Sequence, residues 1–319
     1  MENRLIPINA VIALATTDGI NPAVFADHGY RVAGLEIPVR TPVGSVVIDI
    51  VIANGSTGHL LAIESKCGGN VEEAQCVKYA ALDATTLVRN AHIDLQRRAT
   101  PTVNVVYACL GQYVDRVRLG LDRAGVTFPI LAIHDRKVVM EGDIPNGPLQ
   151  KIFNSSVALN APPLRLIPFD AESSVEIIEP YVQTALVAAL NRSLSDVSLA
   201  TLTEQSIRHF PWFGKQAQTS LKKKVGEAAR RIANRNPLIF EYHGPPPNRD
   251  GWITLLRTPE TNHPSGRTQA YQALSRPGQS KPSRKKSAII AGQTDLLEEL
   301  DKADEGTLDS LEVQAEEMP

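Results

Sequence analysis

With 319 residues, 43% of them hydrophobic, the chain has material for a sizeable core and for two domains. Three cysteines, Cys67, Cys76 and Cys109, are too few and too oddly spaced for a disulfide framework or a zinc site, and they fit a reduced, cytoplasmic protein. No apolar run reaches the roughly 20 residues of a membrane span, no basic segment precedes the short apolar stretch of a would-be signal peptide, and the net charge of −2 hides a segregation of signs along the chain.

The predicted elements begin with a short helix in NPAVFADHGY (21–30), ending at Gly29. RVAGLEIPV (31–39), VVIDIVI (46–52) and HLLAIES (59–65) read as strands, and the turn residues of ANGSTG join the last two as an antiparallel hairpin. The stretch 70–92 predicts one helix with Asn70 as cap and glutamates in its first turn. TVNVVYACL (102–110) is an apolar strand, 112–125 an amphipathic helix and FPILAIHD (128–135) a further strand. This order implies an α/β fold, a mixed sheet flanked by helices, over residues 1–140. Residues 141–175, rich in Pro, Asn and Ser, read as a linker. Helical periodicity returns at 179–194, 198–210 and 215–235, followed by two strands, LIFEYH (238–243) and WITLLR (252–257), around the loop GPPPNRDG. Helices followed by such a β-wing describe a winged helix-turn-helix domain over 176–258. Between 205 and 235 there are eight Lys or Arg against one Glu, whereas 295–319 holds ten Asp or Glu against one Lys. Residues 259–319 are expected to be a disordered tail.

One carboxylate, Asp49, interrupts the apolar run 46–52, and burying it ionised is expensive unless a partner or metal compensates it. The hairpin register sets Asp49 opposite or nearly opposite Ala62–Glu64. Glu64 and Lys66 are two residues apart on a strand and share a face. Gly68 and Gly69 then allow a sharp turn into the next helix. Two carboxylates with the Ser65 carbonyl are an oxygen set suited to Mg²⁺, with Mn²⁺ as substitute. Lys66 is placed to orient a water or to neutralise charge on a phosphate. A buried ion-pair network without metal is the structural alternative. Cys67 and Cys76 are expected as small buried residues.

Asp49 with Glu64-Ser65-Lys66 resembles the acidic residue and ExK element of the PD-(D/E)XK nuclease superfamily. Gln75 to Tyr79, QCVKY, resembles the QxxxY motif of its RecB-like branch, and one helical turn puts both residues on one face. The literal proline is absent, Ile48 standing before Asp49, and of the extra acids found in relatives only Asp27 and Glu36 are nearby. The resemblance covers about residues 20–135. It implies a Mg²⁺-dependent deoxyribonuclease in which Asp49, Glu64 and Ser65 hold the metal, Lys66 assists the attacking water, and Gln75 and Tyr79 support them.

The helix 215–235 occupies the place of a recognition helix. Lys222, Lys223, Lys224, Arg230 and Arg231, with Lys215 beside them, are candidate phosphate contacts; Gln216, Gln218 and Thr219 are candidates for base edges. The expected partners are DNA and either a second copy of the chain or the subunits of a defence or transposition complex. A non-catalytic DNA-binding protein built on an inactive nuclease-like scaffold is the competing reading.

Overall fold

The computed structural model describes residues 5–17, 20–161, 166–246 and 250–256, all within one compact unit, Met1–Ser275. In chain order the elements are α1 (Leu5–Ala15), α2 (Val24–Asp27), β1 (Tyr30–Thr41), β2 (Gly44–Asn54), β3 (His59–Lys66), α3 (Glu73–Ala80), α4 (Ala84–Asn90) and β4 (Thr102–Leu110). A short 3-10 turn leads into α5 (Val114–Arg123), then β5 (Ile130–His134), β6 (Lys137–Glu141), α6 (Gly147–Phe153) and β7 (Val157–Ala158). The chain continues through α7 (Val175–Asn191), β8 (Asp196–Ser198), α8 (Leu199–Ser206), α9 (Lys215–Arg235), β9 (Phe240–His243) and β10 (Trp252–Leu255).

The fold is α/β, with seven strands in sequential order from β1 to β7. Strands β1 to β3 are antiparallel, β3, β4 and β5 run parallel, and β5 to β7 return to antiparallel pairing. Ile50 pairs with Ile63, which sets Asp49 level with Glu64, the register expected of the hairpin. Its turn is closed by Asn54, whose Oδ1 accepts from the Ser56 and Thr57 amides at 3.0 and 3.1 Å. Alternate residues of β3 feed two cores. Leu61 and Ile63 join α1, α7 and α9 on one face, while Leu60 and Ala62 join α3, α4 and α5 on the other.

Two sequence expectations change, and one stretch left unassigned gains a helix. The single helix over 70–92 is two, because Asp83 caps a new one: its Oδ2 accepts from the Thr86 amide at 2.7 Å, and Asn70 lies outside both. The stretch expected as a linker carries α6 and β7 and buries Leu149, Phe153, Ile167 and Phe169 in the larger core. Its apolar residues, scattered among Pro and Asn, show no period that would have announced them. The N-terminal apolar stretch is α1, buried almost throughout and joined to the same segment by Asn9, which bonds Ile167 both ways, at 2.7 and 2.9 Å.

Helices α7, α8 and α9 pack together beside a three-stranded antiparallel sheet of order β8-β10-β9. The third strand, β8, was too short to read from sequence. This part is joined to the edge of the large sheet: the Gly214 amide donates to Leu35 O at 2.8 Å just ahead of α9, and Leu35 bridges Phe213. No helix among the described residues is long and apolar enough to cross a membrane. The expected tail, 259–319, lies outside the described residues.

Candidate functional site

Strand β1 changes face at Glu36. Leu35 belongs to one core and Ile37 to the other, although a regular strand would put both on one side. Glu36 has φ +49°, the left-handed region that a bulky residue rarely adopts. Its partner strand changes with it, since Ile48 lies in one core and Ile50 in the other. Leu35 pairs with Ile50 and Ile37 with Ile48, so Glu36 lies across from Asp49 at the crossing point. Backbone in such a conformation is held only where its surroundings over-determine it, and such sites concentrate around function. Here the Ala171 amide donates to Glu36 Oε1 at 3.1 Å.

Around this crossing lies a cleft of about 920 Å³. Asp49, Glu64, Ser65, Lys66 and Gln75 all line it, as does Glu36. Glu64 is the best-anchored member. Lys66 Nζ and Gln75 Nε2 donate to its Oε1 at 2.7 and 2.9 Å, and the Tyr79 hydroxyl donates to Oε2 at 2.5 Å. Lys66 Nζ also donates to Gln75 Oε1 at 2.9 Å and stands 5.8 Å from the Tyr107 ring centre. Tyr79 is buried, its hydroxyl also within 3.1 Å of Val47 O, and meets Tyr107 edge-on. Glu64 is thus gripped from β3 and α3 together, and the helical spacing of Gln75 and Tyr79 delivers both.

Asp49 is held differently. Its Oδ2 accepts from the Ser65 amide at 2.6 Å. Crowding by protein atoms, then the charge of Glu64, push its carboxyl well above the ordinary range, against the pull of the Ser65 amide and Lys66; Glu36 adds to the rise. Although packed deep among protein atoms, Asp49 keeps a small surface open to cleft water. Burial and the nearby carboxylates also drive the Tyr79 phenol well up, so it remains a donor. Among the described residues no group of three or more His, Cys, Asp or Glu side chains is placed to hold a metal ion. The carboxylates of Asp49 and Glu64 both reach the cleft, as does that of Glu36.

The residues of α9 divide. Gln216 lines the cleft, with Ala217 and Ser220 beside it. Lys215, Thr219, Lys222, Lys223 and Arg230 are exposed. Gln218 is turned inward, its amide donating to Phe213 O at 2.8 Å. Lys224 donates to Ala171 O and Ser173 O, both at 2.6 Å. Arg231 pairs with Glu176 at 2.6 Å and Glu227 at 2.7 Å. These three expected DNA contacts are thus engaged within the chain, Gln218 and Lys224 on backbone carbonyls and Arg231 in partly exposed ion pairs. Cys76 is buried as expected, but Cys67 is exposed and lines the cleft, because the strand ends at Lys66. Lys78 and Arg116 line the same cleft without a signal of their own in the sequence: Lys78 lies inside the QxxxY stretch, and Arg116 belongs to no motif.

Residues 4–112 match the family model of the MJECL32 domain. That segment runs from the start of α1 to the end of β4 and contains every β-strand and α3 residue of the site. Neither the curated proteins nor the solved structures compared with the chain give a match.

Proposed function

We propose that the chain is a divalent-cation-dependent deoxyribonuclease of the PD-(D/E)XK kind. The observation that carries this reading is the triple grip on Glu64 by Lys66, Gln75 and Tyr79, level with Asp49 on the neighbouring strand. A purely structural ion pair has no need of a second carboxylate whose charge the first one raises in energy. Two carboxylates facing one ammonium leave a negative balance that suits a hard divalent cation, Mg²⁺ or Mn²⁺, held by Asp49 and Glu64 with the Ser65 carbonyl. Such a cation supplies an acidified water and charge neutralisation at phosphorus. The chain's own residues do the rest: Gln75 and Tyr79 fix the rotamer of Glu64, and Lys66 presents an ammonium to the charge that develops as water oxygen bonds to phosphorus and the P–O bond to the leaving strand breaks.

In the same proposal, α7, β8, α8, α9, β9 and β10 form a winged helix that positions DNA, with Lys215, Lys222, Lys223 and Arg230 as the phosphate contacts. DNA is the partner, and a second copy or the subunits of a defence or transposition complex complete the expected assembly. The test is cleavage of supercoiled plasmid, linear duplex and single strands in Mg²⁺, Mn²⁺ or EDTA. Metal-dependent cutting lost by at least about 10²-fold in Lys66→Ala is the expected result. No cutting together with no Mn²⁺ binding by calorimetry refutes the nuclease and leaves the non-catalytic scaffold.

A further inference from the structure

The backbone that carries Glu36 is unusual for a cleft residue, and contacts from two directions hold it at φ +49°. On one side, the Gly214 amide donates to Leu35 O at 2.8 Å. A Cβ at Gly214 would lie 2.5 Å from Glu36 O, so the start of α9 lies against β1 at a point where a side chain would force the two backbones apart. On the other side, the Ala171 amide donates to Glu36 Oε1 at 3.1 Å. The loop presenting that amide is closed on itself and tied to α9. Asp170 Oδ1 accepts from the Glu172 and Ser173 amides at 3.0 and 2.9 Å. Lys224 Nζ and Ser220 Oγ, both of α9, donate to Ala171 O at 2.6 and 3.4 Å. Both restraints on Glu36 therefore trace to α9. The strand crossing they hold matters for Asp49. A regular strand running back from Ile52 would put Asp49 on the face of Val51, within the core of α3, α4 and α5, whereas the crossing leaves it lining the cleft.

We infer that Glu36 is a positioning residue: held by the Ala171 amide, it fixes the crossing of β1 and β2 and with it the orientation of the Asp49 carboxylate. This inference rests on the nuclease reading and adds to it a link between α9, the helix read as facing DNA, and the carboxylates read as holding the cation. Glu36 acts through Asp49 and through its hydrogen-bonding oxygen, not through its charge. Outer partners that orient a metal-binding carboxylate typically change metal affinity or activity by about 10- to 100-fold when removed.

The test compares Glu36→Gln and Glu36→Gly in the full chain. Glutamine keeps an oxygen for the Ala171 amide without the charge. Glycine adopts a positive φ at no steric cost, which favours folding, but has no side chain for that amide to hold. Two quantities are read: hydrogen exchange in EDTA of the Ser65 amide, the donor to Asp49 Oδ2, and Mn²⁺ binding by calorimetry. Glu36→Gly is expected to fold, to exchange the Ser65 amide at least about tenfold faster and to bind Mn²⁺ at least about tenfold more weakly. Glu36→Gln is expected to stay within about twofold of wild type in both. A glycine variant that keeps both values, or that fails to fold, overturns the positioning role. A glutamine variant that loses as much as glycine overturns it too, because the carboxylate charge would then be what acts. Wild type that binds no Mn²⁺ counts against the nuclease reading alone, and Ser65 exchange still decides whether Glu36 holds Asp49.

Discussion

Replacing Asp49 by Asn gives a stability test that separates a functional carboxylate from a structural one. The amide keeps an oxygen for the Ser65 N–H, the 2.6 Å bond seen in the structure, but carries no charge towards Glu64 or Glu36. Its cost is the difference between a charged and a neutral hydrogen bond, about 1–1.5 kcal/mol. Its gain has a ceiling. An uncompensated buried charge costs a fold about 3–5 kcal/mol, and burial together with Glu64, which push the Asp49 carboxyl well above its ordinary range, set this as the most the amide can recover. Contact with cleft water lowers that figure, so the net expectation is a metal-free protein stabilised by about 1–2 kcal/mol, or roughly 2–8 °C in Tm. Because the carboxyl is raised in the fold, wild type is penalised progressively as pH rises above about 4, and the advantage of Asp49→Asn shrinks as pH is lowered from 7 towards 4. Thermal unfolding in EDTA at several pH values measures this, with plasmid cleavage, expected to be lost, run in parallel. A variant less stable than wild type at pH 7 in EDTA would refute the reasoning, since Asp49 would then be a compensated member of an ion-pair network.

Tyr79→Phe keeps the ring against Tyr107 but leaves Glu64 Oε2 without its donor, and should cost about 1.5–3 kcal/mol in urea unfolding. Lys224→Met removes two 2.6 Å bonds to loop carbonyls; hydrogen exchange should show faster exchange confined to residues 170–173 and the first turn of α7. His59 is buried between Tyr30 and Asn104, and burial lowers its pKa from 6.5. It contributes no pH dependence above 6.5, and stability is lost as pH falls below that value, because the unfolded chain takes the proton more readily. His59→Asn should flatten the slope between pH 7 and 5 in the same unfolding assay.

The site was legible because its motifs are local. Glu64 and Lys66 share a strand face, Gln75 and Tyr79 share a helix face, and the hairpin loop fixes Asp49 against Glu64; each relation spans few residues and follows from a period of 2 or 3.6. The face switch was not. In VVIDIVI every neighbour of Asp49 is apolar, so the pattern does not distinguish a regular strand from one that feeds Val46 and Ile48 to one core and Ile50 and Ile52 to the other. Only the positive φ at Glu36, a conformation that no sequence cue announces in a glutamate, reveals that both strands cross over there. The same blindness covers β8, α6 and β7, whose two to seven residues are too few to show a period.

The helix α9 shows how a charge run divides once the chain folds. Its basic residues read from sequence as one cationic face, yet they serve two ends. Lys222, Lys223 and Arg230 meet solvent, while Lys224, Arg231 and Arg235 are taken up by Ala171, Ser173, Glu176 and Glu179, all supplied by the segment around the start of α7 some fifty residues earlier. Those partners sit on the opposite side of the helix from the solvent-facing lysines, and nothing local marks which cation is which. The consequence reaches the cleft. By tying the 170–173 loop to α9, Lys224 sets the loop whose Ala171 amide holds Glu36, and Glu36 in turn holds the crossing that presents Asp49. A residue that composition assigns to DNA is therefore joined, through two hydrogen-bonded contacts and one strand pairing, to the carboxylate whose burial the fold must sustain.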